Sequence, residues 1–184
     1  MSNTAKKSAG LLLYRRKDSS VEVFLAHMGG PFWEKKDDGS WSIPKGEFED
    51  ETPLDAALRE FHEETGLSPQ GNFMELAPVK QPSGKTVFAY ALEFDCDPSV
   101  IKSNTFSLEW PKGSGVMREF PEIDRAAWFS LSVAKRKMLK GQIALVEQLQ
   151  KALGISPSEA MPDETTTKST PPPKEKKDGQ LSFL

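Results

Sequence analysis

The chain has 184 residues, of which 37% are hydrophobic and 28% are charged, and it carries a formal net charge of −3. This length is enough for one domain with a hydrophobic core and too short for two full ones. A weakly acidic chain disfavours a protein that wraps duplex DNA, so we expect no direct binding to duplex nucleic acid. The single cysteine, Cys96, excludes an intramolecular disulfide and fits a cytoplasmic protein. The apolar run at residues 11–14 is too short for a signal peptide or a membrane span, so we expect no membrane contact.

Short apolar segments predict the strands, and the stretches between them predict turns and loops. Residues 15–20 are charged and predict a turn, whereas residues 29–39 mix Gly, Pro, aromatic and charged residues and predict a loop. Another loop is expected from Pro44 up to the first helix. The predicted strands are residues 8–14, 21–28, 41–43, 74–79, 86–94 and 126–130.

Two segments have helical spacing. In the first, Thr52 is suited to the N-cap, Pro53 to the first helical position and Gly66 to a left-handed C-terminal residue. The second covers residues 133–153 and is broken near Gly141. Strands and helices mixed in this way predict an α/β fold in which helices cover a sheet.

The composition changes after Gly154. From there to Asp178 the chain is rich in Pro, Thr, Ser, Lys and Glu, and it lacks the apolar residues that could offset the entropy cost of ordering. We therefore predict a folded domain at residues 1–153 and a disordered tail at residues 154–184.

Three glutamates share one side of the first predicted helix. At about 100° per residue, Glu60, Glu63 and Glu64 fall on one arc beside an apolar stripe that should pack on the sheet. Neighbouring like charges repel, and no lysine is interleaved with them on this arc. Oxygen ligands of this kind suit Mg²⁺ or Mn²⁺, whereas the alternative is a solvated acidic face. The apolar stripe consists of Leu54, Ala57, Leu58, Phe61 and Thr65.

This helix and the loop before it resemble the signature of the Nudix hydrolases, GX5EX7REUXEEXGU, where U is a bulky aliphatic residue. Residues 59–67, REFHEETGL, match the second half of the signature, with Phe61 at the first U position. Glu51 lies eight residues before Arg59, as the signature requires. Only four residues separate Gly46 from Glu51, where the family has five, so the loop is one residue short.

The resemblance covers roughly residues 8–153 and implies both a fold and a reaction. The implied fold is a Nudix-type α/β/α sandwich with a mixed β-sheet. The implied reaction is the metal-dependent hydrolysis of a phosphoanhydride bond in a nucleoside diphosphate linked to another group. NTPs and dinucleoside polyphosphates are the favoured substrates.

The same resemblance implies roles for the residues that match the signature. Glu60, Glu63 and Glu64 are expected to hold Mg²⁺ or Mn²⁺, with the Gly46 carbonyl as a further candidate ligand. Arg59 is expected to orient the glutamates, while Glu51 supports the loop. Bound metal ions would neutralise the phosphate oxygens and lower the pKa of an attacking water.

A general base is also needed, and in this family it is a glutamate of the signature or one from a later loop. Glu122 lies six residues before Trp128, a spacing that resembles the downstream catalytic glutamate of MutT-like members. Glu119 is the second candidate. An ordinary charged loop is the alternative.

Substrate contacts are expected from the loops around the signature. Lys45 in the string Pro-Lys-Gly resembles the family branch that acts on dinucleoside polyphosphates and related substrates, and it could meet a phosphate. Phe32, Trp33 and Trp41 flank the loop, where an exposed aromatic ring could stack on a base. The two histidines, His27 and His62, are too few and too scattered for a zinc site.

The chain ends in QLSFL, which resembles the short peptide with which bacterial proteins bind the DNA polymerase sliding clamp, although the last two residues stand in swapped order. An apolar tip on a polar tether is suited to a hydrophobic groove, so Gln180, Leu181, Phe183 and Leu184 are candidate partner-binding residues. A chance ending is the alternative. Two functions therefore remain open, an active hydrolase and a catalytically weak Nudix-like binding protein recruited through its tail.

Overall fold

The computed structural model describes residues 6–156. Seven strands form one mixed sheet with the central order β3-β2-β1-β6-β5, in which β4 pairs with β1 and β9 pairs with β2. Strands β1 and β6 are parallel, and the other pairs of this sheet are antiparallel. The strands of the sheet are β1 Lys7–Lys17, β2 Ser20–Met28, β3 Trp41–Ser42, β4 Lys45–Glu47, β5 Met74–Lys80, β6 Thr86–Glu93 and β9 Ile123–Ser130.

Within the described residues three helices cover the sheet, and a separate β-hairpin stands beside it. The hairpin pairs β7, Thr105–Glu109, with β8, Met117–Pro121, and belongs to no other sheet. The helices are α1 Pro53–Thr65, α2 Leu131–Lys137 and α3 Ile143–Ala152, with short 3-10 turns at Pro98–Val100 and Lys140–Gln142.

Alternation along β1 divides the core between the two faces of the sheet. Leu11 and Leu13 point to one face, where they join a buried cluster with Phe61 of α1. Leu12 points to the other face and joins a cluster with Leu145 of α3. Full burial of such a side chain contributes about 1.5–3 kcal/mol. Both faces of the sheet are thus covered by helix, which confirms the α/β/α sandwich expected from the sequence.

The structure differs from the sequence prediction in its short strands. The segment Lys45–Glu47, predicted as loop, pairs with β1, and the Leu11 N–H donates to the Pro44 carbonyl over 3.2 Å. The hairpin of β7 and β8 was not predicted. Strand β9 begins at Ile123, three residues before the predicted start. These segments are strands because of their partners in space, and a short window of sequence carries little signal for that.

The second helical segment is broken as expected. Helix α2 ends at Lys137 and α3 begins at Ile143, with the 3-10 turn containing Gly141 between them. After α3, Leu153 and Ile155 still pack against the core. Within residues 6–156, no helix is both long and apolar enough to cross a membrane. The candidate partner-binding residues Gln180, Leu181, Phe183 and Leu184 lie outside the described residues.

Candidate active site

Helix α1 is fixed at both ends as the sequence predicts. The Thr52 side chain accepts a hydrogen bond from the Asp55 N–H at 3.2 Å, and Pro53 follows in the first turn. Gly66 ends the helix with a φ of 76°. The predicted apolar stripe is confirmed, since Ala57, Phe61 and Thr65 are buried while Leu54 and Leu58 pack at the edge of the same core cluster. With this stripe on the sheet, the glutamate side of the helix lies along the loop that contains β4.

Arg59 holds three carboxylates around one guanidinium. Its Nε lies 3.1 Å from Glu51 Oε1, and its Nη1 lies 2.6 Å from Glu60 Oε1 and 3.3 Å from Glu63 Oε2. Nη2 also reaches the Glu47 carbonyl at 3.5 Å. The arginine therefore offsets the repulsion within the glutamate cluster and fixes the loop residue Glu51 to the helix.

Gly46 is placed where any side chain would displace Glu60. A Cβ atom built on Gly46 would lie 1.9 Å from Glu60 Oε2. The same strand supplies the Lys45 N–H, which donates to Glu64 Oε2 at 2.8 Å. Strand β4 thus contacts two of the three glutamates through its backbone.

Glu64 is the most strongly perturbed acid of the cluster. Burial raises its pKa to about 8, against the opposing effect of the nearby Lys45 charge and the Lys45 N–H, and the charges of Glu122 and Glu60 raise it further. Burial also lowers the pKa of the Lys45 ammonium, while the Glu64 and Glu60 carboxylates raise it and the Lys85 charge lowers it. A carboxyl that is costly to ionise at neutral pH is stabilised in its charged form by a cation.

Glu122 joins the cluster from the other half of the chain. It lies at the bend between β8 and β9. Partial removal from solvent, and then the charges of Glu60 and Glu63, raise the pKa of its carboxyl. Glu119, the second candidate base, lies on β8 with its side chain exposed, and it pairs across the hairpin with Ser107.

The acidic groups fit a hard divalent cation by their chemistry. In the described part of the chain, no three acidic, histidine or cysteine side chains already stand in a metal-binding arrangement. Glu60 and Glu63 instead share the Arg59 guanidinium, and Glu64 accepts the Lys45 N–H. The donors are nevertheless all carboxylate oxygens, the ligands that Mg²⁺ and Mn²⁺ prefer. Their mutual repulsion is the feature that such an ion would relieve.

The candidate aromatic residues separate into exposed and buried rings. Phe32 is 57% exposed and makes an edge-to-face contact with Trp110, with ring centroids 5.3 Å apart. The Trp33 ring is covered by the Lys36 ammonium at 4.5 Å. Trp41 is buried in the core against Phe129, so the hypothesis that it stacks on a base is wrong.

Two features near this site were not predicted. Trp110 directly follows β7, and nothing in its local sequence distinguishes it from an ordinary packing residue. His27 is completely buried and bonds through both ring nitrogens, whereas His62 is a surface residue beside Ser68, as expected. No periodicity in the sequence relates His27 to its partner Asp124.

A family model described as NUDIX domain matches residues 4–149, which is most of the chain. The chain belongs to the Nudix family. Membership implies hydrolysis of phosphoanhydride bonds in nucleoside diphosphate derivatives, and enzymes of the family generally use divalent metal ions. This Nudix protein is therefore a hydrolase acting on acid anhydrides that contain phosphorus.

Solved structures show the same fold at low sequence identity. The NUDIX domain of Shewanella oneidensis NrtR, in a cocrystal with ADP ribose, aligns with a TM-score of 0.59 at 16% identity, covering 83% of this chain and 90% of that one. A C. elegans Ap4A hydrolase in a binary complex aligns with 0.56 at 18% identity, covering 81% and 98%. A mutT/nudix family protein from Listeria innocua aligns with 0.55 at 14% identity, covering 83% and 96%. No curated protein gives a significant match to this Nudix chain.

Proposed function

We propose that this Nudix protein is a divalent-metal-dependent pyrophosphohydrolase whose ions are held by Glu60, Glu63 and Glu64, with the Gly46 carbonyl as a further ligand. The observation that carries the proposal is that Glu122, 59 residues after Glu63 in the chain, faces the same cluster, where partial burial and then the charges of Glu60 and Glu63 raise the pKa of its carboxyl. A solvated acidic face on one helix would not require a fourth carboxylate from another element.

The side chains around the cluster divide the remaining tasks. A bound divalent ion supplies charge neutralisation at the phosphate oxygens and a more acidic water. Arg59 holds Glu60 and Glu63 in place through its guanidinium. Glu122, at the exposed end of the cluster, accepts the proton of the attacking water as general base. Glu64 is the second candidate for this role, because burial already gives its carboxyl a raised affinity for a proton.

The proposed substrate is an NTP or a dinucleoside polyphosphate. Lys45 stands beside the glutamates and would contact a phosphate, while Phe32 and Trp33, on the loop after β2, would contact the base. The C. elegans enzyme is an Ap4A hydrolase, and the S. oneidensis domain was crystallised with ADP ribose. Both substrate types therefore belong in a test panel.

The test is turnover of this panel with Mg²⁺, with product identification by mass and ¹⁸O-water to identify the phosphorus attacked. We expect Glu63→Gln and Glu64→Gln each to lower kcat by about 10² or more, because each removes one negative oxygen from the proposed ion site. Glu49→Gln is the matched control, since Glu49 is an exposed acid of the neighbouring loop. Near-normal turnover in both site variants would contradict the assignment.

Recruitment through the C-terminal peptide is a separate proposal that rests on the sequence. Deletion of residues 180–184 should abolish binding to a sliding clamp in surface plasmon resonance while leaving turnover unchanged. Absence of binding by the intact chain would reject it. A cytoplasmic location and the absence of duplex nucleic-acid binding likewise stay expectations from composition.

A further inference from the structure

His27 joins two segments that belong to the proposed site. Its ring is completely buried near the end of β2. Nδ1 lies 2.7 Å from Asp124 Oδ1, and Nε2 lies 2.8 Å from the Lys36 carbonyl oxygen. A carbonyl oxygen only accepts, so Nε2 donates. Nδ1 and the Asp124 carboxyl share the other hydrogen bond of the ring, in a short contact.

Asp124 is the extra residue of a β-bulge. Strand pairing places His27 opposite Arg125 and Met28 opposite Ile123, so Asp124 has no residue opposite it. A bulge shifts the register of everything beyond it by one residue, and such a shift turns side chains to the opposite face of the strand. The pairing beyond the bulge brings the Glu122 carbonyl to the Gly29 N–H at 2.8 Å. The bulge, which His27 stabilises through its hydrogen bond to Asp124, therefore determines the position of Glu122.

The second bond of His27 fixes the aromatic loop. Lys36 lies on the loop after β2, and its N–H donates to the Trp33 carbonyl at 2.8 Å. Its ammonium covers the Trp33 ring. The loop is also attached at its start, where a Cβ on Gly29 would lie 1.9 Å from the Pro121 carbonyl oxygen. One imidazole thus connects the loop that carries Phe32 and Trp33 to the segment that carries Glu122.

We infer that His27 is a positioning residue that sets the Glu122 carboxylate through Asp124 and the aromatic loop through the Lys36 carbonyl. The inference rests on the proposed function, in which Glu122 is the base. The two hydrogen bonds of the His27 ring have different consequences. Loss of the hydrogen bond to Asp124 displaces the base, Glu122, and lowers kcat. Loss of the imidazole removes both hydrogen bonds, which displaces the base and also releases the aromatic loop. It therefore lowers kcat and raises KM together.

The test compares Asp124→Asn and His27→Gln with the matched controls Asp95→Asn and His62→Gln. Asp95 is an exposed acid paired with Arg15, and His62 is the only other histidine of the chain. We expect Asp124→Asn to lower kcat about ten- to a hundredfold with KM unchanged, because small displacements of a catalytic group have effects of this size. Since Asp124 acts through Glu122, the same change made in Glu122→Gln should lower kcat no further. An equal loss in both backgrounds would show a general structural role and overturn the inference.

Hydrogen exchange gives a readout that does not depend on turnover. It therefore distinguishes failure of the proposed function from failure of the inference about His27. Full-length Asp124→Asn and His27→Gln proteins should exchange faster than wild type in peptides covering residues 29–39 and 117–125, with β1 and β6 unchanged. If wild type shows no turnover of the panel, the proposed function fails while this measurement still tests the coupling. Unchanged exchange in both peptides would overturn the inference whatever the kinetics show.

Discussion

The Glu60 carboxylate lies directly against the Cα of Gly46, where a Cβ would come within 1.9 Å of Oε2 and 2.0 Å of Cδ. The glycine of the signature is therefore required by the position of a side chain on the facing helix. Gly46 has no positive φ, so its backbone conformation alone would accept alanine.

Gly46→Ala should displace Glu60 and lower metal-dependent turnover by at least about tenfold, because the carboxylate is 13% exposed and held between Arg59 and β4. Metal affinity, measured by calorimetry, should fall in parallel. Gly141→Ala is the control, since its new Cβ would meet Gln81 and Pro82 side-chain atoms at 3.2 Å, away from the glutamates. Full activity of Gly46→Ala would contradict the assignment of Glu60 to the site.

Arg59→Lys should destabilise the metal-free protein. A lysine presents one point charge and cannot contact Glu51, Glu60 and Glu63 together. We expect a loss of about 1–2 kcal/mol, since the pairs are only partly buried, measured as a lower Tm in EDTA. Arg16→Lys is the control, because it makes the same exchange at a single exposed pair, with Glu93, and should have almost no effect. An equal, small change in Tm for both variants would show that the shared guanidinium does not stabilise the cluster.

The stability of the metal-free protein should depend on pH through Glu64. Burial raises the folded-state pKa of this carboxyl to about 8 from the ordinary value of 4.5, so the folded protein binds a proton that the unfolded chain has released. This stabilising contribution is complete below about 4.5 and is lost as pH rises through about 8. In EDTA, wild type should therefore lose more stability across this window than Glu64→Gln. Identical pH profiles for the two proteins would contradict the burial of Glu64.

Phe32→Ala should raise KM for a nucleotide substrate several-fold and leave kcat unchanged. Its ring is largely exposed beside Trp110, so its removal costs little stability and deletes a face available to a base. Val100→Ala, a truncation of another exposed apolar side chain, is the control. A KM equal to that of wild type would place base recognition elsewhere.

The sequence predicted α1 well because its signals are local. The cap at Thr52, the glycine at Gly66 and the apolar stripe lie within one continuous segment, and each has one physical meaning. The principal strands carry similar signals in their alternating apolar residues. The glutamate arc followed directly from the helical period, and the structure adds that one guanidinium holds two of its three carboxylates.

Features that depend on contacts between distant segments could not be read in this way. His27 and Asp124 are 97 residues apart, and nothing in either local sequence indicates a bulge that brings them together. The hairpin of β7 and β8 has weakly apolar strands because little of it is buried. Trp41 stands among the possible base-stacking residues because it flanks the loop before the signature, yet its ring is buried in the core against Phe129.

The hairpin of β7 and β8 shares no ladder with the seven-stranded sheet and returns the chain to it at Glu122. Its length and its aromatic tip can therefore change while the glutamates of α1 keep their places. Because β8 ends at Pro121 and leads directly into Glu122, a change in the hairpin would act on the proposed base and on the ring of Trp110 before it acts on the proposed metal ligands. Exchanging this hairpin between members of the family would therefore keep the proposed ion site of α1 and change the surroundings of Glu122 together with the aromatic surface.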